Sequence, residues 1–109
     1  MRNDSASDDR LEPFSNIDKI IHEPARLNIL AHLYVVESAD FIFLMRQTGL
    51  TRGNLSSHLS KLEAAGYIGV EKKFAAKKPL TLLRLTRVGK AAFQYYRWIM
   101  MKALDELPG

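Results

Sequence analysis

The chain contains no cysteine among its 109 residues. Disulfide bonds, zinc–thiolate sites and thiol catalysis are therefore excluded. The three histidines His22, His32 and His58 are the only imidazole ligands, and their spacing matches no recognisable metal site. We therefore predict no metal site and no cofactor, and the lack of cysteine makes a cytoplasmic location the simplest expectation.

Long apolar stretches are also missing. No segment approaches the roughly 20 apolar residues that a transmembrane helix needs, so no membrane association is expected. The first residues are polar and lack the apolar core of a signal peptide. We interpret residues 1–16 as a disordered tail and residues 17–109 as one domain.

Charge is distributed unevenly along the chain. Residues 1–42 hold eight acidic and four basic side chains, whereas residues 43–90 hold ten basic and two acidic ones. The central segment alone therefore has the charge expected of a surface that binds a polyanion, although a solvated basic face would look the same.

Apolar spacing predicts a mainly α-helical chain. The helical pattern begins at Ile17, where a short apolar turn at Ile17, Ile20 and Ile21 precedes a helix over residues 24–36. Ser38-Ala39-Asp40 breaks the pattern and can cap a short helix over residues 41–48, which Gly49 ends. Thr51 then caps a helix that runs to about residue 65, and a last helix runs from residue 87 to about residue 107.

Two β-prone segments over residues 67–74 and 80–86 lie between the last two helices and predict a hairpin. Adjacent Leu82 and Leu83 suggest an irregularity in its second strand, and Phe74 is expected to pack at its base. Two helices joined by a tight glycine-containing turn and followed at once by a hairpin form the winged helix-turn-helix pattern. The fold class predicted is mainly α with a small β-hairpin wing (α+β).

The helix over residues 51–65 has the pattern of a DNA-reading helix. Leu55, Leu59 and Leu62 form its apolar face, so small and polar side chains face the other way. Such side chains can hydrogen-bond to base edges and phosphates. The lysines of the hairpin are suited to backbone phosphates or the minor groove. The predicted DNA-binding residues are Thr51, Arg52, Asn54, Ser56, Ser57, His58, Ser60, Lys61, Lys72, Lys73, Lys77, Lys78 and Arg84. For His58, a structural hydrogen-bonded role is an equally good expectation.

The sequence resembles winged-helix DNA-binding proteins close to the MarR and ArsR regulators. The resemblance is carried by Thr-x-Gly-Asn-Leu-Ser-x-His-Leu (51–59), Leu-Glu-x-Ala-Gly-Tyr (62–67) and Leu-Thr-Arg-Val-Gly-Lys-Ala-Ala-Phe (85–93). It implies a homodimer, a recognition helix at 51–65 and a β-wing at 67–86. Relatives often have glycine in the wing where this chain has Ala75-Ala76, and the cysteine motif of metal-sensing ArsR proteins is absent.

The last helix is apolar over more than one stripe, so we expect a second copy of the chain to cover part of it. The predicted interface residues are Ile17, Ile20, Ile21, Tyr95, Tyr96, Ile99, Met100, Ala103, Leu104 and Leu107. A helix packed wholly into its own domain is the alternative. A cleft among these methionine and aromatic side chains could also bind a small apolar effector.

The function predicted is that of a transcriptional regulator that binds a palindromic duplex site as a homodimer. A winged-helix module for protein contacts and an architectural DNA binder with little sequence preference are the alternatives. The sequence offers no nucleophile–base pair, phosphate loop or metal cluster, so an enzyme is not expected.

Overall fold

The computed structural model describes residues 11–109. Five helices and three strands follow one another in the order α1 Glu12–Ser15, α2 Pro24–Val36, β1 Ser38–Asp40, α3 Phe41–Thr48, α4 Arg52–Ala64, β2 Ile68–Ala75, β3 Lys78–Leu85 and α5 Arg87–Asp105. The predicted α+β class, mainly helical with a hairpin wing, is confirmed. None of the helices within this range combines the length and apolar character needed to cross a bilayer.

Helix boundaries follow from the capping residues. Asp40, Thr51 and Thr86 each accept a hydrogen bond from the backbone N–H three residues later, which satisfies one of the free donors at a helix start. Pro24 occupies the first turn of α2, where its missing N–H costs little. Gly49 ends α3 with a φ of +72°, a conformation that favours glycine.

The core lies where α2, α3 and α4 meet one face of the sheet. Its fully buried side chains are Ile21, Ile29, Leu30, Leu33, Leu44, Leu55, Leu62 and Leu83. Because Leu55 and Leu62 are buried together with Leu59, the predicted apolar face of α4 is the one that packs inward. The opposite face of α4 is thereby left to solvent.

The sheet has one strand more than the sequence predicted. Residues 38–40 form β1, and the strand order is β1-β3-β2, all antiparallel. Three residues are too few for an alternating pattern to be visible, and their pairing partner Leu83 lies more than 40 positions away. The irregularity predicted at Leu82-Leu83 is wrong, because the pairing with β2 is continuous from Ile68↔Leu85 to Ala75↔Lys78.

The segment before α2 also differs from the prediction. The apolar turn at 17–21 is not helical, because the Asp18 carboxylate accepts the backbone N–H groups of Ile20 and Ile21 and so holds a local turn. Within the predicted tail, residues 1–10 lie outside the described residues, whereas Glu12–Ser15 form α1 and pack against α5. Disorder is therefore a wrong prediction for this last part of the tail.

One backbone junction connects α4, the hairpin and α5. The Thr86 hydroxyl donates to the carbonyl of Gly66 at 2.6 Å, and the Thr86 N–H donates to the carbonyl of Tyr67 at 3.1 Å. The first turn of α5 then passes so close that a Cβ at Gly89 would lie 2.7 Å from the carbonyl carbon of Tyr67. Only glycine fits at position 89 without moving this backbone.

We therefore expect Gly89→Ala to lower the free energy of unfolding by about 3 kcal/mol, because rigid backbone surrounds the added methyl group. Gly53→Ala is the matched control, since Gly53 lies in a helix with no atom within 4 Å of its Cβ position. It should raise the free energy of unfolding by roughly 0.5–1 kcal/mol. Urea unfolding followed by circular dichroism measures both, and equal effects would contradict the close approach.

Tyr67 links the same junction to the turn before α2, because its hydroxyl donates to the Asp18 carboxylate. Burial, together with the hydrogen bond to Asp18, raises the pKa of Tyr67 from 10.0 to about 12. The protonated phenol is thus favoured in the folded state. The stability that it contributes is present below pH 10 and is lost as the pH rises towards about 12.

Tyr67→Phe should accordingly lower stability at about pH 8 and flatten the loss of stability between about pH 10 and pH 12. The free energy of unfolding measured across this pH range tests the prediction. Tyr95→Phe is the control, because the Tyr95 side chain is 62% exposed. This substitution should leave the dependence of stability on alkaline pH unchanged. An unaltered profile in Tyr67→Phe would argue against the raised pKa.

Candidate nucleic-acid interface

Helices α3 and α4 are joined by a three-residue turn, Gly49 to Thr51. The N–H of Gly49 donates to the carbonyl of Met45 at 3.0 Å, and the Thr51 hydroxyl accepts the N–H of Asn54 at 3.2 Å. Each helix end at the turn therefore has a partner for one of its free backbone groups. This is the geometry of a helix-turn-helix, in which α4 is the second helix.

The outer face of α4 carries the polar side chains that the sequence analysis singled out. Its exposed residues among them are Thr51, Arg52, Asn54, Ser56, Ser57, Ser60 and Lys61. None has a large apolar side chain, so a nucleic-acid groove could approach this face closely. Their roles in DNA binding stay a prediction.

Arg52 is held in place although it lies at the surface. Its guanidinium carbon lies 5.3 Å from the centre of the Phe41 ring, a cation–π contact between α4 and α3. The contact accounts for a basic residue in the first turn of a helix, where the helix dipole disfavours positive charge. A side chain that is already ordered loses less conformational entropy when it binds a ligand.

A groove of about 620 Å³ separates α4 from the hairpin. Arg52, Ser56 and Ser60 line one wall, and Lys72 and Thr81 line the other. The acidic side chains of Asp40 and Glu63 also border it. The groove thus joins the exposed face of α4 to the hairpin in one continuous surface, whose lining also includes apolar side chains such as Phe41, Val70 and Leu80.

The hairpin of β2 and β3, residues 68–85, is the wing. Its four predicted lysines, Lys72, Lys73, Lys77 and Lys78, are all exposed. Lys73 is within 3.8 Å of Glu71, but both side chains are about half exposed, so this pair holds neither firmly. The basic charge of the wing is therefore largely free to meet an anion.

The wing ends in a tight two-residue turn. Ala76 and Lys77, its central residues, have φ values of +52° and +65°. Positive φ at both positions is typical of type I′ hairpin turns, which match the twist of the strands. The chain thus makes the turn without the glycine that related wings often have.

Two predicted DNA-binding residues lie apart from this surface. Arg84 is on the opposite face of the sheet from Leu83, at the base of the wing, where its guanidinium lies against Gly69. His58 is half-buried beside α2. The structure therefore gives His58 the structural role that was the alternative expectation.

The partner of His58 is Arg26, a residue to which the sequence analysis gave no role. Arg26 is buried, its Nε donates to the carbonyl of Ile20 at 2.6 Å, and its Nη1 lies 3.0 Å from Nδ1 of His58. Because a guanidinium has no acceptor, His58 must accept through Nδ1. The carboxylate of Glu23 accepts a hydrogen bond from the backbone N–H of Arg26 at 2.8 Å, and this bond lowers the pKa of Glu23.

This cluster of Glu23, Arg26 and His58 attaches α4 to the start of α2. The only sequence signal for it was a lone arginine in an otherwise mainly apolar helix. Within residues 11–109, no group of three His, Asp or Glu side chains is arranged to hold a metal ion. The cluster is best described as a structural connection behind the outer face of α4.

Helix α5 divides the predicted interface residues into two groups. Tyr96, Ile99 and Ala103 are buried against their own chain, and the Tyr96 hydroxyl is 2.8 Å from Nδ1 of His22. Ile21 is likewise fully buried in the core. These four residues have almost no surface to offer a partner.

The other group remains at the surface. Ile17, Ile20 and Met100 are half-buried. Exposed apolar side chains recur at every third position of the last helix and just beyond it, at Tyr95, Trp98, Met101, Leu104 and Leu107. Trp98 and Met101 were not among the predicted interface residues, although they are 57% and 60% exposed.

A comparison with known protein families identifies the family to which this fold belongs. Residues 25–104, which run from the start of α2 almost to the end of α5, match the family described as winged helix DNA-binding domain. The chain belongs to this family. Within this fold, α4 is the second helix of the helix-turn-helix and the hairpin of β2 and β3 is the wing.

Similar proteins agree with this assignment. An uncharacterized protein of Methanocaldococcus jannaschii is 37% identical over 78 residues, which cover 72% of this winged-helix chain and 85% of the relative. A transcriptional regulator homologue of Pyrococcus horikoshii superposes with a TM-score of 0.82 at 26% identity and covers 92% of this chain and 100% of its own.

The predicted resemblance to MarR regulators is also confirmed at the level of the fold. A MarR-family transcriptional regulator of Silicibacter pomeroyi has a TM-score of 0.62 at 18% identity, over 88% of this chain and 64% of that protein.

The winged-helix chain also has a cleft of about 350 Å³ between α1 and α5, which Tyr95, Trp98 and Ile99 line. A small apolar effector in such a cleft stays a prediction.

Proposed function

We propose that the chain regulates transcription as a homodimer that binds a palindromic duplex site. The recognition helix α4 enters the major groove, and the wing contacts the adjacent phosphates and the minor groove. The observation that carries this proposal is the continuous surface made by the exposed polar face of α4 and the exposed lysines of the wing. Membership of a DNA-binding family supports it independently.

The charges and sizes of the side chains favour DNA over a protein partner. The outer face of α4 lacks the apolar anchors that protein interfaces use. A net positive segment over residues 43–90 attracts phosphates and releases their counterions. A protein-contact module and an architectural DNA binder are the outcomes that the experiments below would reveal instead.

Within the proposed complex, residues divide by role. Arg52 and Asn54 lie at the exposed start of α4, the part of a recognition helix that contacts base edges. Arg52 has a guanidinium that suits the acceptors of guanine, and Asn54 an amide that suits adenine. Lys77, at the tip of the wing, contacts the backbone and carries no sequence information.

Selection of duplexes from random DNA, followed by affinity measurements at several salt concentrations, tests these roles. Arg52→Ala and Asn54→Ala should each lower the discrimination between selected and random duplex by about 1–3 kcal/mol. Lys77→Ala should weaken binding to all duplexes alike and reduce the salt slope by about 1. These effects differ because base contacts read the sequence, whereas phosphate contacts do not.

Lys90→Ala is the control for charge. Its ammonium lies on α5, 5.9 Å from the centre of the Tyr34 ring, and its removal should leave affinity for the selected duplex almost unchanged. Equal losses on selected and random duplex for Arg52→Ala, Asn54→Ala and Lys77→Ala would contradict the division of roles. Lack of any affinity for duplex DNA at low salt would overturn the proposed function itself.

The homodimer rests on the uncovered face of α5. Its inner face already packs on its own chain, yet Trp98, Met101 and Leu104 remain more than half exposed. A second copy related by a two-fold axis would cover them and would present two recognition helices roughly 34 Å apart, one turn of DNA. This spacing is the reason to expect a palindromic site.

Trp98→Glu should therefore convert a dimer into a monomer, because a carboxylate in an apolar interface is unpaired and costly to bury. Analytical ultracentrifugation measures the change in mass. Phe74→Glu is the matched control, since it places the same charge at an exposed aromatic position outside α5 and should leave the mass unchanged. A wild-type protein that sediments as a monomer would contradict the proposed interface.

A further inference from the structure

The outer part of the wing extends beyond the sheet as a two-stranded ribbon. Strand β1 pairs only with residues 82–84 of β3, so among residues 11–109 no third strand pairs with residues 71–81. The ribbon extends roughly 15 Å from Leu82 to its turn. Its sides and its end are therefore open to a large ligand.

Phe74 lies near the end of this ribbon and is 79% exposed. The expectation that it packs at the base of the wing is wrong, because its neighbour across the strands is Pro79, next to the turn. In the part of the chain that the structure describes, the core and the helices leave this ring uncovered. The chain thus keeps a phenyl ring in water at the tip of its wing.

The side of the ribbon on which Phe74 lies is the side that faces α4. Successive residues of a strand point to opposite faces, so Phe74 shares its face with Lys72 and Val70. Its neighbour Pro79 likewise shares a face with Thr81. Lys72, Pro79 and Thr81 all line the groove next to α4. A duplex seated on α4 would therefore meet the phenyl ring.

The surroundings of Phe74 indicate which ligand covers it. Lys72 and Lys73 precede it, and Lys77 and Lys78 follow it across the turn, all of them exposed. An apolar protein surface would have to desolvate these ammonium groups, whereas phosphates on both sides of a DNA groove would pair with them. Charge complementarity thus commits this surface to duplex DNA.

We propose that Phe74, supported by Pro79, is an apolar wedge that enters the minor groove and partly unstacks one base step. The proposal rests on the proposed function and adds a mode of binding to it. An undistorted minor groove is about 6 Å wide, too narrow for a β-ribbon. Side chains that wedge between base steps open the groove and bend the duplex towards the major groove, which α4 occupies.

The wedge also predicts a preference for certain base steps under the wing. Pyrimidine–purine steps such as TpA unstack and kink more easily than ApA steps. We therefore expect a preference for TpA at the step under the wing, although Phe74 has no group that could hydrogen-bond to a base edge. This preference is separate from the bases that α4 reads.

The test uses the full chain and its selected duplex, with dyes at both ends to report bending by energy transfer and 2-aminopurine at the step under the wing to report unstacking. Phe74→Ala should lower affinity by about 10-fold, the scale of aromatic–base stacking. It should also abolish the bend, the rise in 2-aminopurine fluorescence and the preference for TpA. The salt slope should not change, because no charge is removed.

Two variants make this result specific. Phe74→Leu should retain most of the bend, because leucine also acts as a wedge. Lys77→Ala should lower affinity and the salt slope but keep the bend and the TpA preference. Since Phe74 is exposed, both Phe74 variants should unfold at the wild-type urea concentration.

The wedge is overturned if Phe74→Ala binds and bends the duplex as the wild type does, or if the wild type leaves the duplex straight. In either case, losses in Arg52→Ala and Lys77→Ala would show that the proposed function still stands. An unchanged affinity of Phe74→Ala for DNA combined with a loss of self-association would assign the ring to contacts between copies of the chain. That result would also overturn the wedge.

Discussion

The relative positions of α4, the wing and α5 depend on the backbone contact between residues 66–67 and residues 86–89. The carbonyls of Gly66 and Tyr67 both accept hydrogen bonds from Thr86, and Gly89 lets α5 begin against the same peptide. At one point, this contact joins the end of α4, both ends of the hairpin and the start of α5. A change in the direction of α5 would therefore be transmitted directly to the two elements that we propose to contact DNA.

Most of the fold could be predicted from local patterns. The leucines of α4 recur at helical spacing, Thr51 is a good cap, and Gly49 suits the positive φ after α3. These are interactions between residues close in sequence, so the sequence alone reveals them. The same pattern placed the polar side chains of α4 on the surface, where the structure has them.

The features that could not be predicted depend on distant residues. Strand β1 exists because β3 pairs with it, and Arg26 is buried because the carbonyl of Ile20 and the ring of His58 accept its hydrogen bonds. Phe74 was expected to pack at the base of the wing, but the ribbon extends beyond β1 and the described residues leave the ring 79% exposed. In each case, contacts between elements rather than the local pattern determined where the residue lies.

The turn at the tip of the wing is made by two residues that strain its backbone. Each non-glycine residue in a left-handed conformation is disfavoured by roughly 1 kcal/mol, and Ala76 and Lys77 both adopt one. Glycine or asparagine would relieve this strain, and either would give the hairpin a lower conformational energy. A lysine at this outermost position accepts the backbone strain and gains a charged side chain that extends away from the sheet. This is expected of a segment that contacts another molecule rather than one that stabilises its own fold.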